Sequence, residues 1–364
     1  MKFVFYTNSV SPHQLPLARE LIRRLGVENY RYIYANEQTA ERKQLGWAGV
    51  ADGCLSFAVK DDGSDKVRDW LQNGEVLLSS IRDFDLLESR ANRGLKTLYC
   101  SERWFKPIRV GGIGKANIYL PGWVKMFHPR CLTMARRVAA LIEGCDSFHY
   151  LPMGVWADRD MEKICQVFGV SKSRYRAKRM VWGYFVEPGA GSVEKSLPRE
   201  TVRVLWVGRL LSLKRVDTIV KSVCAHADLR HKDNTLKSIT LDIYGTGPQE
   251  MALRKMSERH ADTIQFHRAV SISEVRRLMR EHDVYVLSSN SQEGWGAVVS
   301  EALEEGMKVL GTYEAGASAT ILPETNLFHA GDWRRLQMLL EGEIPEVGIG
   351  KWNARNAAEV LLRI

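Results

Sequence analysis

The sequence predicts an α/β protein built from two Rossmann-like, doubly wound domains that face a cleft. Three observations support this prediction. The chain has 364 residues, which is more than a single domain usually contains. Segments of strand character alternate with segments of helical character, as in a parallel sheet covered by helices. The alternation stops once, near residues 187–198, and then restarts.

The first half of the chain supplies the elements of one such sheet. Residues 2–7 are apolar and aromatic, and the next segment has apolar residues at helical spacing and a stop at Gly26. We therefore place one domain at residues 1–187. Its predicted elements are strand 2–7, helix 14–25, strand 30–34, strand 76–78, helix 84–93 and strand 96–100.

A second domain is predicted at residues 200–345. The stretch before it, residues 187–198, is rich in Gly, Pro and Ser and suits a linker. After it, residues 350–364 have helical spacing. The predicted elements of this domain are strand 202–207, helix 216–227, strand 239–244, a helix after Pro248, strand 263–266, helix 272–280, strand 284–287, the helix that holds Glu301 and strand 308–311.

The composition limits the class of protein and its partners. The net charge is +9 and the pI is about 9.2, which favours anionic partners. We expect no nucleic acid, because the sequence has no helix-turn-helix, RNP or zinc-finger pattern. No apolar run reaches the about 18–20 residues needed to span a bilayer. The short apolar N-terminus and the cysteines, which lack paired spacing, predict a cytoplasmic location.

Functional residues are expected just after the strands of the second domain, because open α/β sheets bind ligands at the carboxyl ends of their strands. Arg209 and Lys214 follow the first strand, where cations can meet a diphosphate. Gly245 and Gly247 follow the second strand and let backbone approach a ligand closely. Turns are often polar and Gly-rich, so the prediction depends on all the loops of this edge together.

The stretch Glu293-Gly-Trp-Gly-Ala-Val-Val-Ser-Glu301 is the most informative in the chain. Its turn leads from a strand into a helix, and the unpaired N–H groups at a helix start suit an anion such as a diphosphate. Carboxylates beside that anion can accept hydrogen bonds from sugar or ribose hydroxyls. The pattern therefore indicates a nucleotide-sugar site. The alternative is that two Glu fall at this spacing by chance and are solvated surface.

In this order, the motifs resemble the donor domain of the group 1, or family-four, glycosyltransferases, which retain anomeric configuration and have the GT-B fold. The resemblance covers roughly residues 200–340. It implies that the N-terminal domain binds the acceptor and that a last helix, about residues 350–364, packs back on that domain. The matching motifs are Val207-Gly-Arg-Leu210 with Lys214, Ile243-Tyr-Gly-Thr-Gly-Pro248, the 284–289 strand, Glu293-Gly-Trp-Gly296, Glu301-Ala-Leu-Glu-Glu-Gly306 and Gly331-Asp-Trp333.

The resemblance implies roles for the matched positions. Arg209 and Lys214 would neutralise the donor diphosphate and stabilise the leaving group, and Glu293 would hold the transferred sugar. Glu301 would accept the ribose hydroxyls, and Arg268 with Val270 would lie near the base. The catalytic candidates are therefore Arg209, Lys214 and Glu293. The donor-binding candidates are Gly208, Gly245, Gly247, Arg268, Val270, Gly294, Trp295, Gly296 and Glu301.

The family is metal-independent, so we expect no metal and no cofactor beyond the donor substrate. Two D-x-D strings do occur, Asp83-Phe-Asp85 and Asp158-Arg-Asp160. Such strings mark metal sites in the other glycosyltransferase fold. Both lie in the first domain here, and Asp83 is predicted to cap a helix.

The sequence departs from the family in two places. Relatives often have a glycine pair after their first strand, where this chain has Asn8-Ser-Val-Ser-Pro-His-Gln14. His13 is either a contact to the phosphates or the acceptor, or a helix-start residue without chemistry. Relatives also often have a glycine after the third strand of the donor domain, where this chain has His267-Arg-Ala269, and this leaves base recognition open.

The residues that bind the acceptor are harder to assign from the sequence. Glu102 and Arg103 follow strand 96–100, and Glu102 either orients the acceptor or forms an ion pair with a neighbouring Arg. The stretch 103–130 mixes aromatic and cationic residues, which suits a membrane interface with anionic lipid or, alternatively, the core of the first domain. The mixed residues are Trp104, Phe105, Lys106, Arg109, Lys115, Tyr119, Trp123, Lys125 and Phe127.

The expected activity is transfer of a hexose from a nucleoside diphosphate sugar to a hydroxyl of a glycan or lipid-linked acceptor. A role in bacterial surface polysaccharide synthesis, at the inner face of the cytoplasmic membrane, follows by analogy. The alternatives are an epimerase or hydrolase of nucleotide sugars with the same fold, and a non-catalytic carbohydrate- or lipid-binding relative. A dinucleotide oxidoreductase is disfavoured, because G-x-G-x-x-G follows neither first strand.

Overall fold

The computed structural model describes residues 1–39, 57–113, 116–189 and 201–364, with backbone but no side chains at 109, 111–113 and 116–118. The described residues form two compact units. The first comprises Met1–Tyr184 and Ala354–Ile364, and the second comprises Phe185–Asn353. Most of the linker predicted at 187–198 lies outside the described residues, as does Lys115.

The first unit is built on a parallel sheet of six strands. Its strands are β1 (Phe3–Thr7), β2 (Tyr30–Tyr34), β3 (Ala58–Lys60), β4 (Val76–Ser79), β5 (Lys96–Ser101) and β8 (Phe148–Pro152), and β6 (Ile108–Ile113) with β7 (Ala116–Leu120) forms a separate antiparallel hairpin. The sheet order is β3-β2-β1-β4-β5-β8, so the strand order reverses between β1 and β4. Ligands bind at this point in doubly wound sheets.

The helices of the first unit turn an apolar side to the sheet. In the first helix Leu15, Leu17 and Leu21 are buried, as their spacing predicts. The prediction that Asp83 caps a helix is confirmed, because its Oδ1 accepts the Leu86 N–H at 3.0 Å. The helices are α1 (Leu15–Leu25), α2 (Asp65–Asn73), α3 (Phe84–Asn92), α4 (Pro129–Gly144), α5 (Val155–Val167) and α6 (Lys172–Lys178).

The second unit repeats the same topology with a new set of strands. These are β9 (Thr201–Val207), β10 (Ser238–Tyr244), β11 (Ile264–His267), β12 (Val284–Leu287), β13 (Lys308–Thr312) and β14 (Leu327–Phe328). They pair in parallel in the order β11-β10-β9-β12-β13-β14, so the reversal falls between β9 and β12. The helices are α7 (Val216–Arg230), α8 (Glu250–Met256), α9 (Ile272–Glu281), α10 (Val298–Glu304), α11 (Gly316–Ile321) and α12 (Trp333–Glu341).

The last helix, α13 (Ala354–Arg363), belongs to the first unit. It packs against α1, and the Arg24 guanidinium donates to the carbonyl of Arg355 at 3.2 Å. Ala357, Ala358 and Leu361 are buried on its inner side.

The sequence left open whether the stretch 103–130 is core or exposed surface. Its two ends differ in this respect. Trp104 is buried and Phe105 packs against the core of the first unit. Trp123 and Phe127, in the 3₁₀ turn Gly122–Phe127, are 54% and 77% exposed. The beginning of the stretch is therefore core, and its end presents aromatic rings to solvent. No helix in the described part of the chain is long and apolar enough to cross a membrane.

Candidate functional site

The predicted catalytic residues lie at the strand-order reversal of the second unit. The loop after β9 holds Arg209 and Lys214, and the loop after β12 holds Glu293. Because β9 and β12 are neighbours in the sheet, their loops leave the same edge side by side. Sheet order thus brings together residues that are 79 positions apart in the sequence.

Lys214 and Glu293 form an ion pair. The Lys214 Nζ lies 2.5 Å from Oε2 of Glu293, and the Ser289 hydroxyl donates to the same oxygen at 2.8 Å. The two charged side chains are 23% and 14% exposed, so solvent screens the pair less than it would at the surface. The arrangement places a cation and an oriented carboxylate within one small volume.

The loops that carry this pair are tied to each other. The Ser288 hydroxyl donates to the carbonyl of Lys214 at 2.7 Å, and the Asn290 N–H donates to the carbonyl of Leu213 at 2.8 Å. The Thr312 hydroxyl, at the end of β13, donates to the carbonyl of Ser289 at 2.5 Å. These bonds hold the candidate catalytic side chains on fixed backbone, as preorganisation would require.

The Glu293–Gly296 turn is anchored to the start of α11. The Gly316 and Ala317 N–H groups donate to the carbonyls of Gly294 and Trp295 at 3.1 and 2.7 Å. Gly296 has φ +86°, a conformation that other L residues rarely adopt. The turn therefore has a single defined path between β12 and α10.

Trp295 is buried and packs against Trp352, with ring centroids 5.8 Å apart. Its indole N–H is buried without a hydrogen-bond partner among the described residues. A buried donor without a partner costs free energy.

Glu301 lies in α10 and is 8% exposed. Burial raises the pKa of the Tyr285 hydroxyl, and the carboxylates of Glu293 and Glu301 add to the effect. Both carboxylates therefore act on the same buried ring of β12. A Glu this deeply buried is not the solvated surface residue that chance spacing would give.

The glycines of the first two loops allow the loops to touch. Gly245 has φ +156°, and a Cβ added there would come within 1.8 Å of the carbonyl oxygen of Gly208. A Cβ on Gly247 would come within 2.6 Å of the carbonyl oxygen of Leu210. Only glycine fits this close approach, and the result is an edge lined by backbone after β9 and β10.

The remaining donor-side candidates are more exposed. Arg209 is exposed in the β9 loop beside Gly208. Arg268 and Val270 follow β11, the edge strand, and the Arg268 side chain is exposed. Arg268 and Val270 therefore share the carboxyl edge of the sheet with Lys214 and Glu293, but they do not lie at the point where the strand order reverses.

The acceptor-side candidates lie in the first unit. His13 follows β1, and its ring lies 5.8 Å from that of Tyr184. Glu102 pairs with Lys106 at 2.6 Å, so its ion-pair partner is a Lys and not an Arg. Arg103 lies 3.6 Å from the carboxylate of Asp160 and stacks over the Trp156 ring.

The D-x-D strings are occupied by structural contacts. Asp83 caps α3, and Asp85 pairs with Arg137 at 2.6 Å. Asp158 pairs with Arg179 at 3.1 Å, and Asp160 accepts the N–H of Phe105 at 2.8 Å. In the described residues no group of three or more His, Cys, Asp or Glu side chains is placed to hold a metal.

Most of the second unit matches a known protein family. Residues 201–337 match the family described as "Glycosyl transferases group 1". Residues 201–337 form a group 1 glycosyltransferase domain.

The glycosyltransferase domain also has sequence relatives. One is the UDP-N-acetylglucosamine–peptide N-acetylglucosaminyltransferase GtfA subunit of Streptococcus pneumoniae, 30% identical over 120 residues. The matched stretch is 32% of this chain and 22% of that protein. The GtfA subunit of Streptococcus gordonii is 30% identical over 115 residues, which are 31% of this chain and 21% of that protein.

Solved structures resemble the whole chain. The apo form of the lipopolysaccharide outer core galactosyltransferase WaaB has a TM-score of 0.61 and 13% identity, and the match covers all of both chains. HepE of Anabaena, in complex with UDP, has a TM-score of 0.59 and 13% identity over 100% of this chain and 95% of its own. These likenesses show the GT-B fold, with two parallel-sheet α/β domains.

Sequence reasoning assigned no individual role to several residues that support the candidate site. Ser288, Ser289 and Thr312 hold the loops in place, yet hydroxyl residues at strand ends are too common to single out. Their one local signal is position, because each stands at or just after the end of an apolar strand.

Proposed function

We propose that this protein is a retaining, metal-independent glycosyltransferase that moves a sugar from a nucleoside diphosphate sugar to a hydroxyl of a glycan or lipid-linked acceptor. The observation that carries the proposal is the Lys214–Glu293 ion pair at the strand-order reversal of the group 1 glycosyltransferase domain. The pair offers counter-charge for a diphosphate and an acceptor for sugar hydroxyls.

The proposed reaction uses charge more than proton transfer by the protein. The acceptor oxygen attacks the anomeric carbon on the face from which the nucleotide leaves, and the bond from that carbon to the β-phosphate oxygen breaks. The acceptor proton passes to a phosphate oxygen of the leaving diphosphate. Arg209 and Lys214 stabilise the negative charge that builds there, in place of a divalent metal.

Two measurements test these mechanistic claims. Retention predicts that the product has the anomeric configuration of the donor, as read by the proton NMR coupling of the anomeric hydrogen. Metal independence predicts equal initial rates with and without EDTA. Inversion would exclude the proposed same-face attack, and activity that returns only with added Mg²⁺ or Mn²⁺ would exclude Arg209 and Lys214 as sufficient counter-charge.

UDP is the first nucleotide to test. The GtfA relatives carry UDP-N-acetylglucosamine in their names, and the HepE structure contains UDP. Because the match to the GtfA proteins covers about a fifth of their length, the sugar and the acceptor are left to experiment.

A lipid-linked acceptor is supported by the surface at the end of the 103–130 stretch. Trp123, Phe127 and Leu132 are exposed, and cations stand close to them in sequence at Lys125 and Arg130. Exposed aromatic rings beside cations suit the headgroup region of an anionic membrane. Peripheral contact there, at the inner face of the cytoplasmic membrane, would serve surface polysaccharide synthesis.

Thermal stabilisation by nucleotide sugars tests the donor site. A ligand that binds only the folded protein raises its melting temperature by mass action. We expect a UDP sugar to stabilise the protein without added metal, more than GDP, ADP, dTDP or CMP sugars do. Glu301→Ala should abolish the shift, because the ribose loses its carboxylate partner.

Glu304→Ala is the matched control. Glu304 lies in the same helix, and its carboxylate accepts the N–H of Gly189 instead of facing β12. It should retain the nucleotide shift. If no nucleotide sugar stabilises the folded wild-type protein, or if both variants respond like the wild type, the donor-site assignment is wrong. Turnover of a UDP sugar without any acceptor would favour the epimerase or hydrolase alternative.

A further inference from the structure

The first unit contains a cavity of about 400 Å³ with a mixed charged and apolar lining. Four cations line it: Arg82, Arg103, Lys106 and Lys125. Glu102 is the acidic residue of the lining, and Trp104 and Phe105 contribute aromatic surface. All the lining residues belong to the first unit, whereas the Lys214–Glu293 pair lies in the second.

The cavity lies at the end of the sheet where doubly wound proteins bind ligands. Arg82 follows β4, and Glu102 follows β5 directly. β4 and β5 are neighbours, and β4 is one of the two strands at the order reversal of the first unit. The cavity therefore occupies the carboxyl edge of the first sheet, as the Lys214–Glu293 pair occupies that of the second.

The charges in the cavity do not balance. Lys106 pairs with Glu102 at 2.6 Å, and Arg103 lies 3.6 Å from the carboxylate of Asp160. Arg82 and Lys125 have no carboxylate within ion-pair distance among the described residues. Arg82 lies over the Trp104 ring, 5.1 Å from its centroid. Lys125 donates to the carbonyl of Lys106 at 2.8 Å.

Two of the four cations thus lack an ion-pair partner in the described part of the chain. Burial lowers the pKa of the Lys125 ammonium. The nearby charges of Lys106 and Arg82 lower it further, whereas Cys131 and Asp160 act in the opposite direction without cancelling the shift. Cations crowded in a partly buried cavity repel one another, and an anion placed among them would remove that repulsion. A phosphate monoester carries about −1.5 to −2 charges at pH 7, which matches the excess of two.

We propose that this cavity binds a phosphate group of the acceptor, between Arg82 and Lys125. The identity of the ligand as acceptor rests on the proposed function, whereas phosphate binding itself does not. A phosphate fills only part of about 400 Å³, so the rest of the cavity holds the group that carries it. Trp104 and Phe105 offer that group an apolar surface, which suits a lipid chain or the face of a sugar ring.

A membrane lipid and a free metabolite can both present this phosphate. Trp123, Phe127 and Leu132 are exposed and close in sequence to the cavity residues Lys125, Met126 and Cys131. This favours a lipid-borne phosphate. The shared chemistry is the phosphate monoester, and the test separates the two sources.

The test compares two double variants by isothermal titration calorimetry at constant ionic strength. Arg82→Gln/Lys125→Gln removes the two unbalanced cations. Lys66→Gln/Arg68→Gln removes the same charge from exposed positions on α2. The probes are sn-glycerol 3-phosphate and phosphatidylcholine vesicles with or without phosphatidic acid. We expect the cavity variant to bind its preferred probe at least about tenfold more weakly than the wild type, and the α2 variant to match the wild type.

Binding of glycerol phosphate identifies a free phosphate monoester, and binding of the phosphatidic acid vesicles alone identifies a lipid. Equal loss in both variants would mean that net charge and not the cavity attracts the probe, and the proposal would fail. Wild-type protein that binds neither probe would also overturn it. Arg82→Lys/Lys125→Arg keeps both charges and should retain binding, and single Lys125→Gln replaces the double variant if that does not fold.

UDP stabilisation of the same variants separates this proposal from the proposed function. The cavity variant should keep the nucleotide shift, because its substitutions are in the other unit. Phosphate binding without any nucleotide shift in the wild type would leave the cavity assignment in place and exclude the transferase. A nucleotide shift without phosphate binding would exclude the cavity assignment alone.

Discussion

Lys214 pairs with Glu293 in the structure and has a second role in the proposed reaction, and the two affect different measurements. Its ammonium neutralises Glu293, a carboxylate that is only 14% exposed, and in the proposed reaction it would stabilise the leaving diphosphate. The first role concerns the free energy of unfolding, because a half-buried carboxylate without a partner is costly. The second role concerns the transition state only.

Lys214→Ala should lower kcat on the order of 10²-fold, because charge that builds on the diphosphate loses one of its counter-charges. It should also lower the free energy of unfolding by about 1–3 kcal/mol, because Glu293 loses its ion-pair partner. Initial rates and chemical denaturation measure the two effects. Lys221→Ala, an exposed position on α7, is the control and should change neither. Unchanged turnover in Lys214→Ala would refute the phosphate role.

Lys214→Ala/Glu293→Gln separates the two roles. Without a carboxylate to neutralise, the stability lost in the single variant should return, at least in part. Turnover should stay low, because the counter-charge is still missing. Recovery of both quantities would mean that Lys214 acts only through its structural pair.

Gly245 tests the close approach of the β9 and β10 loops. Gly245→Ala should destabilise the second unit by about 1–3 kcal/mol and abolish the nucleotide shift, because the added Cβ would lie 1.8 Å from the carbonyl oxygen of Gly208. Gly306→Ala is the control, because Gly306 also has positive φ, +70°, but open space around its Cβ position. It should cost about 1–2 kcal/mol of backbone strain and leave nucleotide binding intact. Equal effects would show that the loops can move apart.

At the scale of elements, Asp242 connects three parts of the second unit. It lies in β10 and bonds His267 of β11 at 2.6 Å and His282, just after α9, at 3.1 Å. Burial by itself would raise the pKa of the Asp242 carboxyl, but the hydrogen bonds from His282 and His267 outweigh it, and the pKa is lowered.

The lowered pKa of Asp242 gives the direction of its pH dependence. A carboxyl with a lower pKa in the folded state adds stability above its unfolded pKa of about 3.9, and this stability is lost as pH falls through the folded pKa. Asp242→Asn should therefore reduce the free energy of unfolding at pH 6 and make its decline below about pH 4 shallower. Urea denaturation across that range measures this, with Asp262→Asn, exposed in the turn before β11, as control. If the free energy of unfolding falls equally steeply with pH in Asp242→Asn and in the wild type, the Asp242 carboxylate does not contribute to stability.

Elements with a strong local signal were predicted closely. Strands 30–34 and 284–287 have the predicted bounds, because short segments rich in aromatic and β-branched residues mark strands. The β6–β7 hairpin was missed, since Ile108–Ile113 contains two glycines and no clear alternation. The pairing of Lys214 with Glu293 needed the order of the strands, which is non-local information that periodicity does not contain.

At the scale of the whole molecule, α13 joins two distant parts of the sequence in one unit. Leu361→Ala should destabilise the first unit by about 2–5 kcal/mol, because Leu361 is 1% exposed in the helix that packs on α1. Hydrogen exchange should rise in β1 and α1 and stay unchanged in β9 and β12. Val360→Ala, 41% exposed on the same helix, should leave exchange in both units unchanged. Uniform loss of protection in both units would show that α13 does not stabilise the first unit selectively.

The division of the first unit into residues 1–184 and 354–364 has a consequence for biosynthesis. The ribosome releases the six strands of the first sheet early, but the helix that covers α1 emerges only after the entire second unit. The second unit is one continuous stretch and can finish folding during translation. In the first unit, the apolar surface of α1 that α13 covers stays exposed until α13 has been synthesised. A nascent chain stalled before residue 354 should therefore be the form that chaperones bind.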